Sequence, residues 1–348
     1  MINFAGNDYL CLSQDSRVRD AFIKGAYEYG VGSTSSPLLS GYTRAHQELE
    51  ERFATFLNRD RAIFFNSGYH ANLGVLNVFA NRSTPVIADK HCHASIIDAI
   101  ILSRAPHHRY HHQDLTHAAS IMQQYSDQAS LIVTESVFSM TGAITQTNEL
   151  CNSILTHHAL LIIDDAHGFG ILGQQGKGVC EQFGLSQENI PILITPLGKS
   201  LGCAGAIISG KSDIIEHILQ KARTYCYSTA LPPAICCAAS QALTILSIES
   251  WRVHRIKELS EFFNREAAAR YIDLISNDLT AIKCILSGTN TETIALQDFL
   301  KTQNIFASAI RPPTVPPNLA RIRISLNLSH TENDILKLLN LMCEYLNI

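Results

Sequence analysis

Two stretches decide the fold: Leu160–Gly170 (LLIIDDAHGFG) and Pro191–Gly202 (PILITPLGKSLG). Each opens as a short apolar run, the pattern of a strand buried on both faces of a parallel sheet. Each then breaks into polar residues and glycine. Ligands of open α/β sheets bind beyond the carboxyl ends of the strands, where both breaks lie. An acid, a histidine and a lysine can therefore converge on one crevice. A carboxylate facing a pyridine nitrogen and a lysine able to form a Schiff base are what a protein supplies to pyridoxal phosphate. Either cluster alone fits a capping aspartate or a solvated lysine equally well; both in this order point to the cofactor.

Outward from this centre, strand and helix signals alternate from residue 60 to about 210. Ala62–Phe65, Pro85–Asp89, Leu131–Thr134 and Gly205–Ser209 read as further strands, which makes a doubly wound α/β unit. Leu49, Phe53, Phe56 and Leu57 fall on one face of a helix. Asn66–His70 is a small-residue turn into a helix, where free N–H groups favour an anion, and the phosphate is expected there. His93, in the loop after Asp89, can stack on a pyridinium ring and reach bound substrate. Ser139, beyond the strand ending at Thr134, can donate to the cofactor edge.

Past residue 240 the pattern changes. A long helix from Trp251 to about Tyr271 precedes strands at Ala281–Ser287, Phe306–Ile310 and Ala320–Ser325, with a helix near Thr291–Thr302. Thr331–Asp334 resembles a capping box and starts a final amphipathic helix. This reads as a small α+β domain. The organisation expected is an N-terminal segment over 1–40, a cofactor-binding domain over 41–240 and the small domain over 241–348. Arg321 and Arg323 share one face of their strand and Ile322 and Ile324 the other. An arginine there could bind a carboxylate bidentately, or the strand could be an edge with solvated arginines.

Composition excludes other classes. The chain has 348 residues, 46% hydrophobic and 17% charged, with a net charge of −4. That balance argues against nucleic-acid or anionic-membrane partners. Polar residues interrupt every apolar run, so no span of a bilayer is expected. The opening residues lack the basic and apolar regions of a signal peptide. The ten cysteines are scattered without a CxxC pair, which fits reduced thiols in a cytoplasm. Five histidines between His107 and His117 lack the spacing of a metal site and read as structural or exposed.

With these residues in view, the chain resembles the α-oxoamine synthase family of fold-type I pyridoxal-phosphate enzymes. The resemblance runs through NFAGNDYL, SGYTRAHQELE, NSGYHAN, HASIIDA, VTESVFSMTGA, IIDDAHGFGILGQQGKG, LGKSLG, YSTALPP, AIRPPTVP and RIRISL. It implies a mixed, mainly parallel sheet domain with a smaller C-terminal α+β domain. AIRPPTVP narrows it to the branch that joins L-alanine to a pimeloyl thioester, on CoA or a carrier protein, in biotin biosynthesis. Other branches take glycine or serine with other acyl groups, and a non-catalytic partner subunit of the same fold is a further alternative.

The resemblance implies that Lys199 carries the Schiff base, Asp164 meets the ring nitrogen, and His167 and Ser139 meet the ring's phenolic oxygen. His93 stacks on the ring, and the Gly68–Tyr69 backbone supports cofactor binding. Asn7 and Arg323 hold the amino-acid carboxylate, while Thr314 and Arg311 serve the acyl substrate. Ser228 and Thr229 reach the phosphate across a homodimer with shared active sites. Two departures stand out. The family places a threonine three residues before the lysine, where this chain has Pro196. Thr195, one residue earlier, is the nearest hydroxyl and is counted with the cofactor-binding candidates, although in a strand it faces the other way. The family also carries a segment with a basic residue before NDYL, so the expectation is a differently covered site or weaker substrate affinity.

Overall fold

The computed structural model describes residues 1–155 and 159–346. A two-residue strand, β1 (Ile2–Asn3), opens the chain. Seven strands then form one sheet: β2 (Arg61–Phe65), β3 (Val86–Asp89), β4 (His107–Tyr110), β5 (Ser130–Glu135), β6 (Ala159–Asp164), β7 (Ile192–Pro196) and β8 (Ala206–Gly210). Their order is β2-β8-β7-β6-β5-β3-β4. Only β8 runs against its neighbours. The cause is the short link from β7 to β8: a parallel crossover needs about a dozen residues or more, and a tight turn joins antiparallel strands only. Lys199 sits in that link. The mixed, mainly parallel sheet expected from sequence is present.

Alternate residues of the strands enter opposite cores. Ile87, Ile132, Leu161, Ile163, Leu193 and Ile207 pack on one side of the sheet. Val133, Ile162, Ile192 and Ile194 pack on the other. Each such side chain taken wholly out of water contributes roughly 1.5–3 kcal/mol, so a polar substitution in these runs would cost most where both faces are covered. The helix carrying Leu49 and Phe53 spans Arg44–Phe56, and both residues are fully buried.

One strand of the main sheet was not expected. The run His107–Tyr110 is β4, the edge strand beside β3. Its histidines hide the period-two pattern because only Tyr110 is buried. Beyond it His112 pairs with Asp89 at 3.0 Å and stacks on His91 at 4.1 Å between ring centres.

The C-terminal part holds β9 (Ile282–Leu286), β10 (Ile305–Phe306), β11 (Ser308–Ile310) and β12 (Arg321–Ser325). The single strand expected over Phe306–Ile310 is thus two, broken at buried Ala307 and shared between different sheets. β12 lies between β11 and β9 in an antiparallel sheet, so it is central and not an edge. Ile322 and Ile324 enter a third core with Phe4, Phe263, Leu296 and Leu339. Arg321 and Arg323 are buried on the opposite face. The final helix, Glu332–Leu346, starts with the expected box: Thr331 N–H donates to Asp334 at 2.8 Å, and Asp334 N–H to the Thr331 hydroxyl at 3.2 Å.

The first dozen residues strap the two regions together. β1 pairs in parallel with β10. Ser325 N–H donates to Phe4 O at 2.6 Å, and Leu328 N–H to Tyr9 O at 3.0 Å.

Candidate active site

A cavity of about 430 Å³ opens at the carboxyl ends of β5, β6 and β7, with Asn7, Gly68, His93, Asp164, His167 and Lys199 among its lining residues. Strand alternation decides which aspartate enters it. Asp164 continues the face of Ile162 and points into the cavity; Asp165 takes the other face. Asp164 accepts from the Asn72 amide at 2.7 Å and from Ala166 N–H at 3.1 Å. Asp165 is fully buried behind the loop and accepts from Val179 N–H at 3.1 Å.

The same amide of Asn72 donates to the Ser95 hydroxyl at 3.0 Å. Ser95 in turn meets His93 Nδ1 with its hydroxyl at 2.8 Å and its N–H at 3.2 Å. A backbone N–H can only donate, so Nδ1 is the accepting nitrogen and Nε2 carries the hydrogen. Burial lowers the His93 pKa, which favours this neutral ring. His93 also caps the helix Ala94–Ser103, and its own N–H donates to Glu135 at 2.6 Å.

Burial depresses the Lys199 pKa, with Asp164 and Glu135 opposing it. The shift favours a free amine that can act as nucleophile and base. His167 is held neutral by burial, and the charges of Lys199 and Arg323 push the same way. Its Nδ1 lies 2.6 Å from the Tyr9 hydroxyl.

The helix Gly68–Phe79 begins at the cavity, capped by the Ser67 hydroxyl, which accepts from His70 N–H at 3.1 Å. The N–H groups of Gly68 and Tyr69 are in its first turn and have no carbonyl partner within the helix. A Cβ at Gly68 would come within 2.7 Å of the Pro196 ring, so glycine is required where strand end and helix start meet. Nearby, Ser200 donates its hydroxyl to Phe169 O at 2.6 Å.

Arg323 donates to Ser139 O at 2.7 Å, to the Ser325 hydroxyl at 3.0 Å and to Asn7 Oδ1 at 3.1 Å. Asn7, a lining residue of the cavity, thus holds Arg323, which is buried and not among the lining residues. Arg321 similarly donates to Met140 O at 2.8 Å. A second groove of about 500 Å³ adjoins them, lined by Lys90, His91, Arg109, Thr314 and Arg321 among others.

Several expected residues lie outside the cavity. Thr195 is fully buried in β7, its hydroxyl without a partner among the described residues. Ser139 meets Arg323 through its carbonyl and does not line the cavity. Thr229 O accepts from Asn66 at 2.9 Å, and Ser228 lines a neighbouring groove with Arg223 and Tyr227. Arg311 lines neither the cavity nor the groove of Thr314. Conversely, Tyr9, Asn72, Ser95 and Glu135 belong to the site and were not among the expected residues. All four lie inside the motifs quoted above; their direction, which the motifs do not carry, is what brings them in.

The residues present fit pyridoxal phosphate. An amine, a fixed carboxylate, a flat neutral imidazole and a helix start surround one cavity, matching the aldehyde, ring nitrogen, ring face and phosphate ester.

The chain is 40% identical over 344 residues to a curated 8-amino-7-oxononanoate synthase of Saccharophagus degradans, covering 99% of this chain and 86% of the relative. One of Thioalkalivibrio sulfidiphilus is 42% identical over 342 residues, covering 97% and 86%. Among solved structures, 8-amino-7-oxononanoate synthase from Francisella tularensis superposes with a TM-score of 0.88 at 37% identity, covering 100% of this chain and 98% of that one. Serine palmitoyltransferase from S. paucimobilis, carrying PLP and myriocin, gives 0.95 at 25% identity, covering 99% and 87%. The family model for aminotransferase class I and II matches residues 1–340, and with the lysine, carboxylate and histidines in their shared cavity the chain belongs to that family.

Proposed function

We propose that the chain is a pyridoxal-phosphate-dependent acyltransferase that condenses L-alanine with a pimeloyl thioester, releasing carbon dioxide and 8-amino-7-oxononanoate on the way to biotin. The reading is carried by the convergence of Lys199, Asp164 and His93 on one cavity, in a chain about 40% identical to the curated synthases along nearly its whole length. When bound, the cofactor supplies an electron sink for the carbanion at the amino acid's α carbon.

Lys199 would hold the cofactor through its amine and would take and return the amino acid's α-proton. Its buried setting leaves the amine ready for that work. Asp164, fixed at both oxygens, holds a proton on the ring nitrogen, and His93 offers its flat face to the ring. The Gly68–Tyr69 N–H groups bind the phosphate. Arg323 and Asn7 bind the alanine carboxylate, which orients the α-hydrogen toward Lys199. The adjoining groove, with Thr314 beside Lys90 and Arg109, suits an extended acyl chain bearing anionic groups.

The active unit in this reading is a homodimer in which Ser228 and Thr229 of one copy reach the phosphate of the other. In its support, neither lines the cavity of its own chain, and Val31, Leu39 and Tyr227 are 91%, 82% and 76% exposed. Residence in the cytoplasm accords with the absence of disulfides, all ten cysteines being free, and no single helix among the described residues is long and apolar enough to cross a membrane.

The test is a panel of alanine, glycine and serine against pimeloyl, acetyl, succinyl and palmitoyl thioesters, with products identified by mass. Alanine with the pimeloyl thioester should give the highest kcat/KM. Preference for serine and a palmitoyl thioester would overturn the reading.

A further inference from the structure

The hydrogen bonds behind the cavity wall single out Tyr9. Its side chain is fully buried, and its hydroxyl lies 2.6 Å from His167 Nδ1 and 3.2 Å from Asn7 Oδ1. Arg323 donates to the same Oδ1 at 3.1 Å. A guanidinium has no acceptor, so these contacts fix which atom of the Asn7 amide faces Tyr9: the oxygen. The phenol itself has a single proton to donate.

Two acceptors compete for that proton. Asn7 Oδ1 is the farther one and already receives a charge-assisted bond from Arg323. His167 Nδ1 is at the distance of a strong bond. Burial pushes the Tyr9 pKa up to about 12, so the hydroxyl stays a donor through neutral pH. The buried His167 ring is neutral and carries one hydrogen, which must then sit on Nε2.

We propose that Tyr9 is a positioning residue whose O–H···Nδ1 bond locks His167 as the Nε2–H tautomer, presenting a donor nitrogen to the cavity. The other tautomer would offer a bare nitrogen there, which repels a negatively charged oxygen. The same hydroxyl touches Asn7, so the carboxylate-binding pair Asn7–Arg323 and the histidine at the cofactor form one unit. What the N–H meets rests on the functional reading above; the tautomer does not.

The test begins with the holoenzyme labelled with ¹⁵N-histidine, the His167 signals being assigned by their loss in His167→Gln. Wild-type His167 should show a protonated Nε2 and a bare, hydrogen-bonded Nδ1. In Tyr9→Phe the two tautomers should mix, and the pH midpoint of the cofactor's visible band should move. A glutamine at 167 carries an N–H whatever stands at 9. Tyr9→Phe should therefore cost about tenfold in kcat with His167 present, the worth of one hydrogen bond, and little in the His167→Gln background. A wild-type hydrogen on Nδ1, or an equal loss in both backgrounds, overturns the proposal. The wild-type spectrum decides even if Tyr9→Phe fails to fold. Absence of any visible band would instead sink the functional reading while leaving the tautomer measurable.

Discussion

Glu135 and Asp164 are register partners at the ends of β5 and β6, and both carboxyl groups line the same cavity. Two like charges so placed disfavour each other. Burial pushes Glu135 up to about 8, and the charge of Asp164 adds to it. Asp164 is held by two donors, the Asn72 amide and Ala166 N–H.

Glu135 therefore keeps its proton at neutral pH, and Glu135→Gln should retain turnover there. The stability effect has a definite sign. The native pKa lies above the ordinary 4.5, so the unfolded chain releases this proton first and wild-type stability falls as pH rises from 4.5 to about 8. The glutamine variant lacks this fall. Its advantage in urea unfolding should grow across that window by on the order of 5 kcal/mol. A constant difference across the window would contradict the assignment.

The paired aspartates should part company. Asp164→Asn cannot hold the ring nitrogen protonated, and turnover should fall by roughly three orders of magnitude or more, equivalent to about 4 kcal/mol. Asp165→Asn keeps an oxygen for Val179 N–H and should retain most activity, with any loss appearing in thermal stability. Steady-state kinetics and melting curves of both variants decide the matter. Equal kinetic losses would mean the wrong carboxylate has been chosen.

Pro196 offers no donor where the resembling family has threonine, and its ring packs against Gly68 at the helix start. Thr195, one residue earlier, is buried away from the cavity, and the Ser200 hydroxyl is engaged with Phe169 O. Pro196→Thr should therefore tighten cofactor binding about tenfold, since a hydrogen bond to a charged group is worth roughly 1.5–3 kcal/mol. Fluorescence titration of cofactor-free protein measures it. Weaker binding would show that the proline is needed to shape the turn into Lys199.

Lys283, in β9, is fully buried with its amine donating to Asp278 O at 2.8 Å. Burial brings its pKa down from 10.5 to about 7. A base lowered in the folded state costs stability when charged, so wild-type stability rises with pH between about 7 and 10.5. Lys283→Met should be the more stable protein at pH 6, by on the order of 2 kcal/mol after the lost hydrogen bond. That margin should shrink by pH 10. Denaturation at the two pH values tests it, and a margin that does not shrink would exclude the titration.

The apolar runs that end in Asp164 and Lys199 were legible because a strand buried on both faces must be continuously apolar. β4 was not, since an edge strand rich in histidine carries no such signature. Nor was the break at Ala307, because one residue suffices to send consecutive strands to separate sheets. Asp164 could be chosen over Asp165 only with the resemblance in hand; the alternation of β6 supplies the physical reason. Thr195 shows the same rule from the other side, buried one residue away from the cavity its neighbour lines. Tyr9 and Asn72 lay beyond reach for a different reason. Their partners, His167 and Asp164, are distant in sequence, and no local period records a contact of that kind.

The strap formed by the first dozen residues has a consequence for how the chain matures. Asn7 and Tyr9 are held by Arg323 and Leu328, and Phe4 by Ser325, all of which are synthesised well after the main sheet. The main sheet, complete by Gly210, can assemble while the remainder is still being made. During that interval Lys199 and Asp164 stand in a half-walled cleft with the beginning of the chain undocked. Cofactor arriving then would meet a lysine but no closed site, and competence to turn over substrate would appear only when the segment of Asn7 and Tyr9 docks on that of Arg323 and Leu328.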